Sequence, residues 1–281
     1  MYYCGIDIAK RKHDAAILDQ EGNLQGRFLK IANTASGFDE ILSKLQALDQ
    51  NVLIGMEATG HYWLALFEAL SAAGYKIVVL NPLQIAAYRR SGIRKVKNDR
   101  KDAWWIADYL RIANLSPTDR QLPVLLKLRE LSRFRYSLMD QVGDLKRKII
   151  SILDRVFPEY ETLFSSVFIK TSRSLLKEAA TAQEIAEFDL SELTALLKSN
   201  SRGRFGLEKA NHIQDLARQS VGVGFLQDAV QIEMACLLEQ LDLLLAQIAH
   251  LDDSIAEIMD HIPQHITSIP GIGAVTGAAI L

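Results

Sequence analysis

The hydrophobic period of this chain changes near Val124, and that change limits what each part can fold into. Beyond it, Val124, Leu128, Leu131, Leu138, Val142, Leu145, Ile149, Ile152 and Val156 recur in alternating steps of three and four, with Arg135 in the one missing place. Val230, Met234, Leu237, Leu241, Leu244, Ile248, Leu251, Ile255, Ile258 and Ile262 repeat the rhythm without a gap. A 3.5-residue period keeps one apolar seam against a partner, so both runs predict long coiled-coil helices. An antiparallel pair within one chain and a dimer are both compatible with it. Phe157 to Phe225, broken by the polar stretch Ser199 to Gly206, reads as an insert of shorter helices.

Before Val124 the pattern is mixed. Tyr2–Ala9, His13–Leu18 and Leu24–Ile31 alternate as strands, separated by the basic turn Lys10, Arg11, Lys12 and by Glu21-Gly22-Asn23. Ser36 is placed to cap a helix ending near Leu48. Strand Val52–Met56, helix His61–Ala73 stopped by Gly74, strand Lys76–Leu80 and a helix opened by Pro82 follow. Three hairpin-linked strands and then alternating strands and helices predict an α/β class, a ribonuclease H-like mixed sheet with flanking helices. The expected division is residues 1–120 for this domain, 121–262 for the coiled-coil and helical region, and 263–281 for the opening of a third. In that last piece Pro270-Gly271-Ile272-Gly273 leads into a small-residue helix, a helix-hairpin-helix-like start; a plain tight turn would look the same.

Composition narrows the class. The chain has 281 residues, is 49% hydrophobic and carries a net charge of -2, which does not suit a protein that coats nucleic acid through bulk charge. Two distant cysteines suggest neither a disulfide framework nor a zinc site. No stretch reads as a membrane span and the N-terminus runs straight into a strand, so a cytoplasmic protein is expected. Charge is local instead: between Tyr88 and Arg111, Arg89, Arg90, Arg94, Lys95, Lys97, Arg100, Lys101 and Arg111 outnumber Asp99, Asp102 and Asp108. Such a run is commonly a solvated helix face; beside a carboxylate cluster it becomes a candidate phosphate-binding surface.

Four carboxylates suggest that cluster. Asp7 interrupts the first strand between Ile6 and Ile8, where an ionised group is costly without a cation or donors, and Gly5 permits close approach. Glu57 closes the fourth strand, at the carboxyl end where open sheets place their chemistry. Asp99 and Asp102 stand three apart at a helix start and so share a face. Each has a plain alternative: Asp7 pairing with Lys10 or capping a turn, Glu57 as an ordinary strand end, Asp99 as an N-cap, Asp102 as a first-turn acid. Together they form an oxygen ligand set for two hard divalent cations, with Mg2+ expected and Mn2+ as substitute. Thr59 and His61 could line the same edge, His61 more simply as a helix-start residue.

The motifs Gly5-Ile6-Asp7-Ile8-Ala9-Lys10, Met56-Glu57-Ala58-Thr59-Gly60 and Lys97-Asn98-Asp99-Arg100-Lys101-Asp102-Ala103 resemble those of the DEDD transposases of the IS one-ten insertion-sequence family, whose N-terminal domain is RuvC-like. The resemblance extends over the helical middle and Ile269-Pro270-Gly271-Ile272-Gly273. It implies a DNA recombinase with catalytic and metal-binding Asp7, Glu57, Asp99 and Asp102, acting on DNA, directed by a structured bridge RNA, and assembled as a homo-oligomer through its coiled coils. Nucleic-acid contacts are expected from Lys10, Arg11, Lys12, Arg89, Arg90, Arg94, Lys95, Lys97, Arg100 and Lys101. The resemblance also implies a nucleophilic serine in a C-terminal domain. Ser254 and Ser268 precede the segment expected to carry it, so a fragment or degenerate copy lacking the covalent half of the reaction is anticipated.

Two further readings compete. A RuvC-like nuclease would use the same carboxylates without strand transfer, and a non-catalytic dimeric scaffold would bind nucleic acid through its coiled coils. An actin-like kinase is disfavoured, because Ile8-Ala9-Lys10-Arg11 follows Asp7 in place of a glycine-rich phosphate turn.

Overall fold

The computed structural model describes residues 1–48, 51–58, 60–91, 99–118 and 122–281. They form two compact units, Met1–Leu122 and Pro123–Leu281.

The first unit is built on five strands, β1 (Tyr2–Asp7), β2 (Lys12–Leu18), β3 (Leu29–Ala32), β4 (Val52–Glu57) and β5 (Lys76–Leu80). Their order is β3-β2-β1-β4-β5. The β1–β2 and β2–β3 pairs are antiparallel, whereas β4 runs parallel to both β1 and β5. This is the mixed ribonuclease H-like sheet that the element order predicts. Helices α1 (Ala35–Gln46), α2 (Leu64–Ala72), α3 (Pro82–Ser91) and α4 (Asp99–Ala113) flank it.

Three boundaries differ from the sequence reading, each for a local reason. Gly26 adopts a positive φ of 74°, so the third strand does not run on from Leu24; it begins at Leu29, and Leu24 makes only an isolated bridge to Leu18. Thr34, not Ser36, caps α1: its backbone is extended and its hydroxyl accepts from Gly37 N. Helix α2 starts at Leu64, because Gly60 with φ 60° opens a turn that Trp63 closes by donating Nε1 to the Gly60 carbonyl at 3.2 Å.

Helix α4 sets the geometry of the unit. A Cβ on Gly5 would lie 2.2 Å from the Ala103 carbonyl oxygen and 2.3 Å from the Ala107 nitrogen, and one on Gly55 would lie 2.6 Å from Leu110 Cδ1. The helix backbone therefore rests directly on β1, an approach that only glycine permits. Ala103, Ile106, Ala107 and Leu110 are buried there, each large apolar side chain contributing about 1.5–3 kcal/mol. At the other end of α4, the Arg111 guanidinium lies against Gly22 in the β2–β3 connection. Helix α4 thus runs opposite to β1, and its N-terminus meets the carboxyl ends of β1 and β4.

The second unit is helical: α5 (Leu122–Val156), α6 (Lys170–Glu178), α7 (Ala182–Glu187), α8 (Leu190–Asn200), α9 (Leu207–Arg218), α10 (Gln227–His261) and α11 (Ala274–Ile280). Helices α5 and α10 pack antiparallel within the chain, one of the two arrangements compatible with the heptads. Leu128 clusters with Ile255 and Met259, Arg135 pairs with Asp252, and Arg155 reaches Glu233 at 3.7 Å. Arg135, the break in the first heptad run, thus meets its counter-ion on the facing helix. Helix α11 seats Ala278 in the same cluster as Leu128 and Met259. Among the described residues no helix is long and apolar enough to cross a membrane.

Candidate active site

The alternation of β1 and β4 fixes the direction of two carboxylates. Gly5 and Gly55 face α4, and side chains two positions apart in a strand share a face. Asp7 and Glu57 therefore lie on the α4 side. The Ile6–Met56 register makes them neighbours across adjacent parallel strands. Asp102 approaches the same edge from the first turn of α4, one residue before the Ala103 carbonyl that lies over Gly5.

One guanidinium spans two of these groups. Arg89, near the end of α3, places Nη2 3.3 Å from Glu57 Oε2 and Nη1 3.5 Å from Asp102 Oδ1. The side chains of Glu57 and Asp102 are only 16% and 14% exposed, so a cation is held between two carboxylates largely shielded from water. Arg89 Nε is buried and makes no hydrogen bond. The pair of carboxylates thus accommodates a cation, and the donor set is all carboxylate oxygen, which suits a hard divalent ion. Among the described residues no group of three or more His, Cys, Asp or Glu side chains is gathered at ligand spacing. Asp99 is the first residue of α4, and its side chain lies outside what is described.

The basic residues separate into several environments. Lys10, Arg11 and Lys12 are exposed in and beside the β1–β2 turn, and Arg90 and Lys101 are exposed on α3 and α4. Arg89 is engaged with the carboxylates. Arg94, Lys95, Lys97 and Thr59 lie outside the described residues, as does the side chain of Arg100. Arg111, which the charge count included, has a structural partner: Nη2 and Nε donate to Asp108 Oδ1 at 2.6 and 3.0 Å. Tyr88 donates to the other oxygen of Asp108 at 2.7 Å. Burial, then the adjacent Asp108, pushes the Tyr88 phenol up to about 12, and the hydrogen bond to Asp108 raises Arg111. His61 is exposed beside Tyr62. Ser254 and Ser268 donate their hydroxyls to the carbonyls of His250 and His265 at 3.0 and 2.7 Å.

Sequence reasoning missed two residues. Arg89 appeared only as one basic residue among many, and nothing in its spacing marks it as the bridge. Asp14 could have been found, because it interrupts an apolar strand as Asp7 does. It is the cross-strand partner of Asp7, so the two point to the same face, and its Oδ1 is buried without a hydrogen bond. Lys30 stands opposite it on β3.

Residues 4–158 match the family model of the DEDD transposases of the IS110 type, described as a transposase. The chain is 27% identical over 299 aligned residues to a mini-circle putative transposase for IS117 from Streptomyces coelicolor, covering 99% of this chain and 70% of that protein. It is also 36% identical over 138 residues to the pilin gene-inverting proteins of Moraxella lacunata and Moraxella bovis, covering 46% of this chain and 42% of each of those. Two solved structures of Thermus thermophilus RuvC, one in complex with a Holliday junction substrate, align over 42% of this chain with TM-scores of 0.31 and 0.32 and identities of 14% and 17%.

Proposed function

Since the chain belongs to the IS110 family of DEDD transposases, we propose that it catalyses divalent-metal-dependent cleavage and strand transfer of DNA phosphodiesters during transposition of an insertion sequence. The observation that carries the reading is the Arg89 guanidinium held between Glu57 and Asp102, on the face to which Asp7 also points. In this reading residues 1–120 are the catalytic domain, residues 121–262 the helical region and 263–281 the opening of a further domain.

Asp7, Glu57, Asp99 and Asp102 would hold Mg2+, or Mn2+ in its place, through carboxylate oxygens. The metal when bound supplies positive charge to the attacking and leaving oxygens of a phosphoryl transfer. Lys101, Arg100 and Lys97 would bind and orient the phosphates beside it, with Lys10, Arg11, Lys12, Arg90, Arg94 and Lys95 extending the basic surface along the nucleic acid; these contacts should make binding fall with salt. A structured guide RNA is the proposed second nucleic-acid partner. A homo-oligomer assembled through α5 and α10 is the proposed working form. Ser254 and Ser268 are not assigned as nucleophiles, because both precede the segment expected to carry that serine; their hydroxyls donate to backbone carbonyls of their own segments.

Incubating the full chain with element-end DNA, guide RNA and Mg2+, then resolving the products, tests this. Metal-dependent cleavage is expected from the wild type and none from Asp7→Asn or Glu57→Gln, and joined strands in addition would show that this chain also carries out the covalent half of the reaction. Free ends without joined strands would favour a plain nuclease. Nucleic-acid binding that persists without metal, with no cleavage by any variant, would favour a scaffold.

A further inference from the structure

The contacts of Arg89 differ from those of the other buried-edge arginine in this unit. Arg111 donates to Asp108 at 2.6 and 3.0 Å, the usual range for a charge-assisted bond. Among the described residues, Arg89 makes one hydrogen bond, to Glu57 at 3.3 Å, and a longer ion-pair contact to Asp102 at 3.5 Å. Its Nε is left buried and unsatisfied, a state that costs free energy. Charge rather than hydrogen-bond fit therefore places this group. The helix that carries it is fixed independently. Tyr88, the preceding residue, donates to Asp108 and packs edge-on against Trp105 at 5.5 Å and tilted against Tyr109 at 5.1 Å. Only the Arg89 side chain needs to move for its guanidinium to leave the carboxylates.

We propose that Arg89 is a positioning residue of the site: in the metal-free protein it holds Glu57 and Asp102 together as a resident counter-ion, and it yields that place when a divalent metal binds. This rests on the metal-site reading given above. Two carboxylates at this separation from water repel each other unless a cation lies between them, so the guanidinium keeps them in place before loading. The same guanidinium and a metal cannot share the position, because their charges repel. Metal binding is therefore weakened by Arg89. A phosphodiester beside the site, which an arginine grips through a two-pronged contact, would draw the guanidinium away and favour loading when nucleic acid is present.

The test uses the full chain in two measurements. In the first, the Nε–H resonance of Arg89 is followed by 15N-arginine NMR in the wild type, assigned by its loss in Arg89→Lys, while Mn2+-free buffer is titrated with Mg2+. The expected result is a shifted or rapidly exchanging resonance at saturation. In the second, Mn2+ binding is measured by calorimetry for wild type and Arg89→Gln, with circular dichroism confirming the fold. Arg89→Gln should bind on the order of 10-fold more tightly, the usual size of coupling between two binding events. An unmoved Nε–H resonance at metal saturation overturns the proposal even if the variant fails to fold. Equal or weaker Mn2+ binding by a folded Arg89→Gln, with the wild type still binding, also overturns it and leaves the metal site standing. Absence of binding in both proteins overturns the metal site itself.

Discussion

The two ends of α4 carry aspartates in opposite circumstances. Near the C-terminal end, Asp108 is buried and both its oxygens are satisfied, one by Tyr88 and the other twice by Arg111. At the N-terminal end, the ion pair of Asp102 among the described residues is the 3.5 Å contact with Arg89. A buried carboxylate with a full set of short donors is part of the framework, since removing a partner leaves an uncompensated group. A carboxylate whose ion-pair contact among the described residues is a long one is, in the proposed reading, the one open to another cation. The difference lies in the partners, not in the residue type, its helix or its local charge density.

The sharpest way to break this comparison is the same substitution at both ends. Asp102→Asn should reduce DNA cleavage on the order of 10²-fold or more, as loss of a group supporting transition-state charge does, with a midpoint of thermal unfolding equal to or above the wild type's. Retained cleavage would remove Asp102 from the site. Gly5→Ala probes the seat between the two ends. A Cβ 2.2 Å from the Ala103 carbonyl must displace α4, so a loss of about 3 kcal/mol in urea unfolding is expected, accompanied by lost cleavage. Unchanged stability would mean that α4 does not rest on β1.

Asp108→Asn should instead lower unfolding stability by about 2 kcal/mol, the scale of charged hydrogen bonds, while cleavage per folded molecule stays within a few-fold of the wild type. A large loss of cleavage without loss of stability would reverse the assignment of the two ends. The smallest effect separates the faces of β2. His13 is buried opposite Asp14 in strand direction, and burial lowers its folded pKa below the ordinary value. The folded state therefore favours the neutral ring. As pH falls through about 6.5, the unfolded chain takes up a proton first, so stability declines toward the folded pKa and is fully present above pH 6.5. His13→Gln should flatten that part of the urea-unfolding profile. An identical pH slope in the variant would show that His13 is not its source.

Much of the fold was legible because period reports which face of an element is buried. Cys4, Ile6 and Ile8 are all buried, as their alternation implies, and the apolar positions of α5 and α10 line a common core. Boundaries failed where one residue overrode the pattern, as at Gly26 and Thr34. Within the candidate site, Asp7 was visible as a charge in a strand, and Asp14 carried the same signal without being read. Arg89 and Asp108 were not separable from their neighbours, because a run of charges says nothing about which member finds a buried partner.

By itself the sequence determined the kinds of element, their order, and the positions where an ionised group would be costly without compensation. Those properties are local, set by side-chain period, glycine, proline and the free energy of burying a charge. The tertiary structure decided the pairings: the parallel register that sets Asp7 beside Glu57, the close approach at Gly5 that carries Asp102 to them, and the antiparallel match of Arg135 with Asp252. It also decided that one arginine bridges the carboxylates while another is consumed by Asp108. Periodicity encodes which face is covered but not by what, and contacts between distant residues are fixed only when whole elements pack.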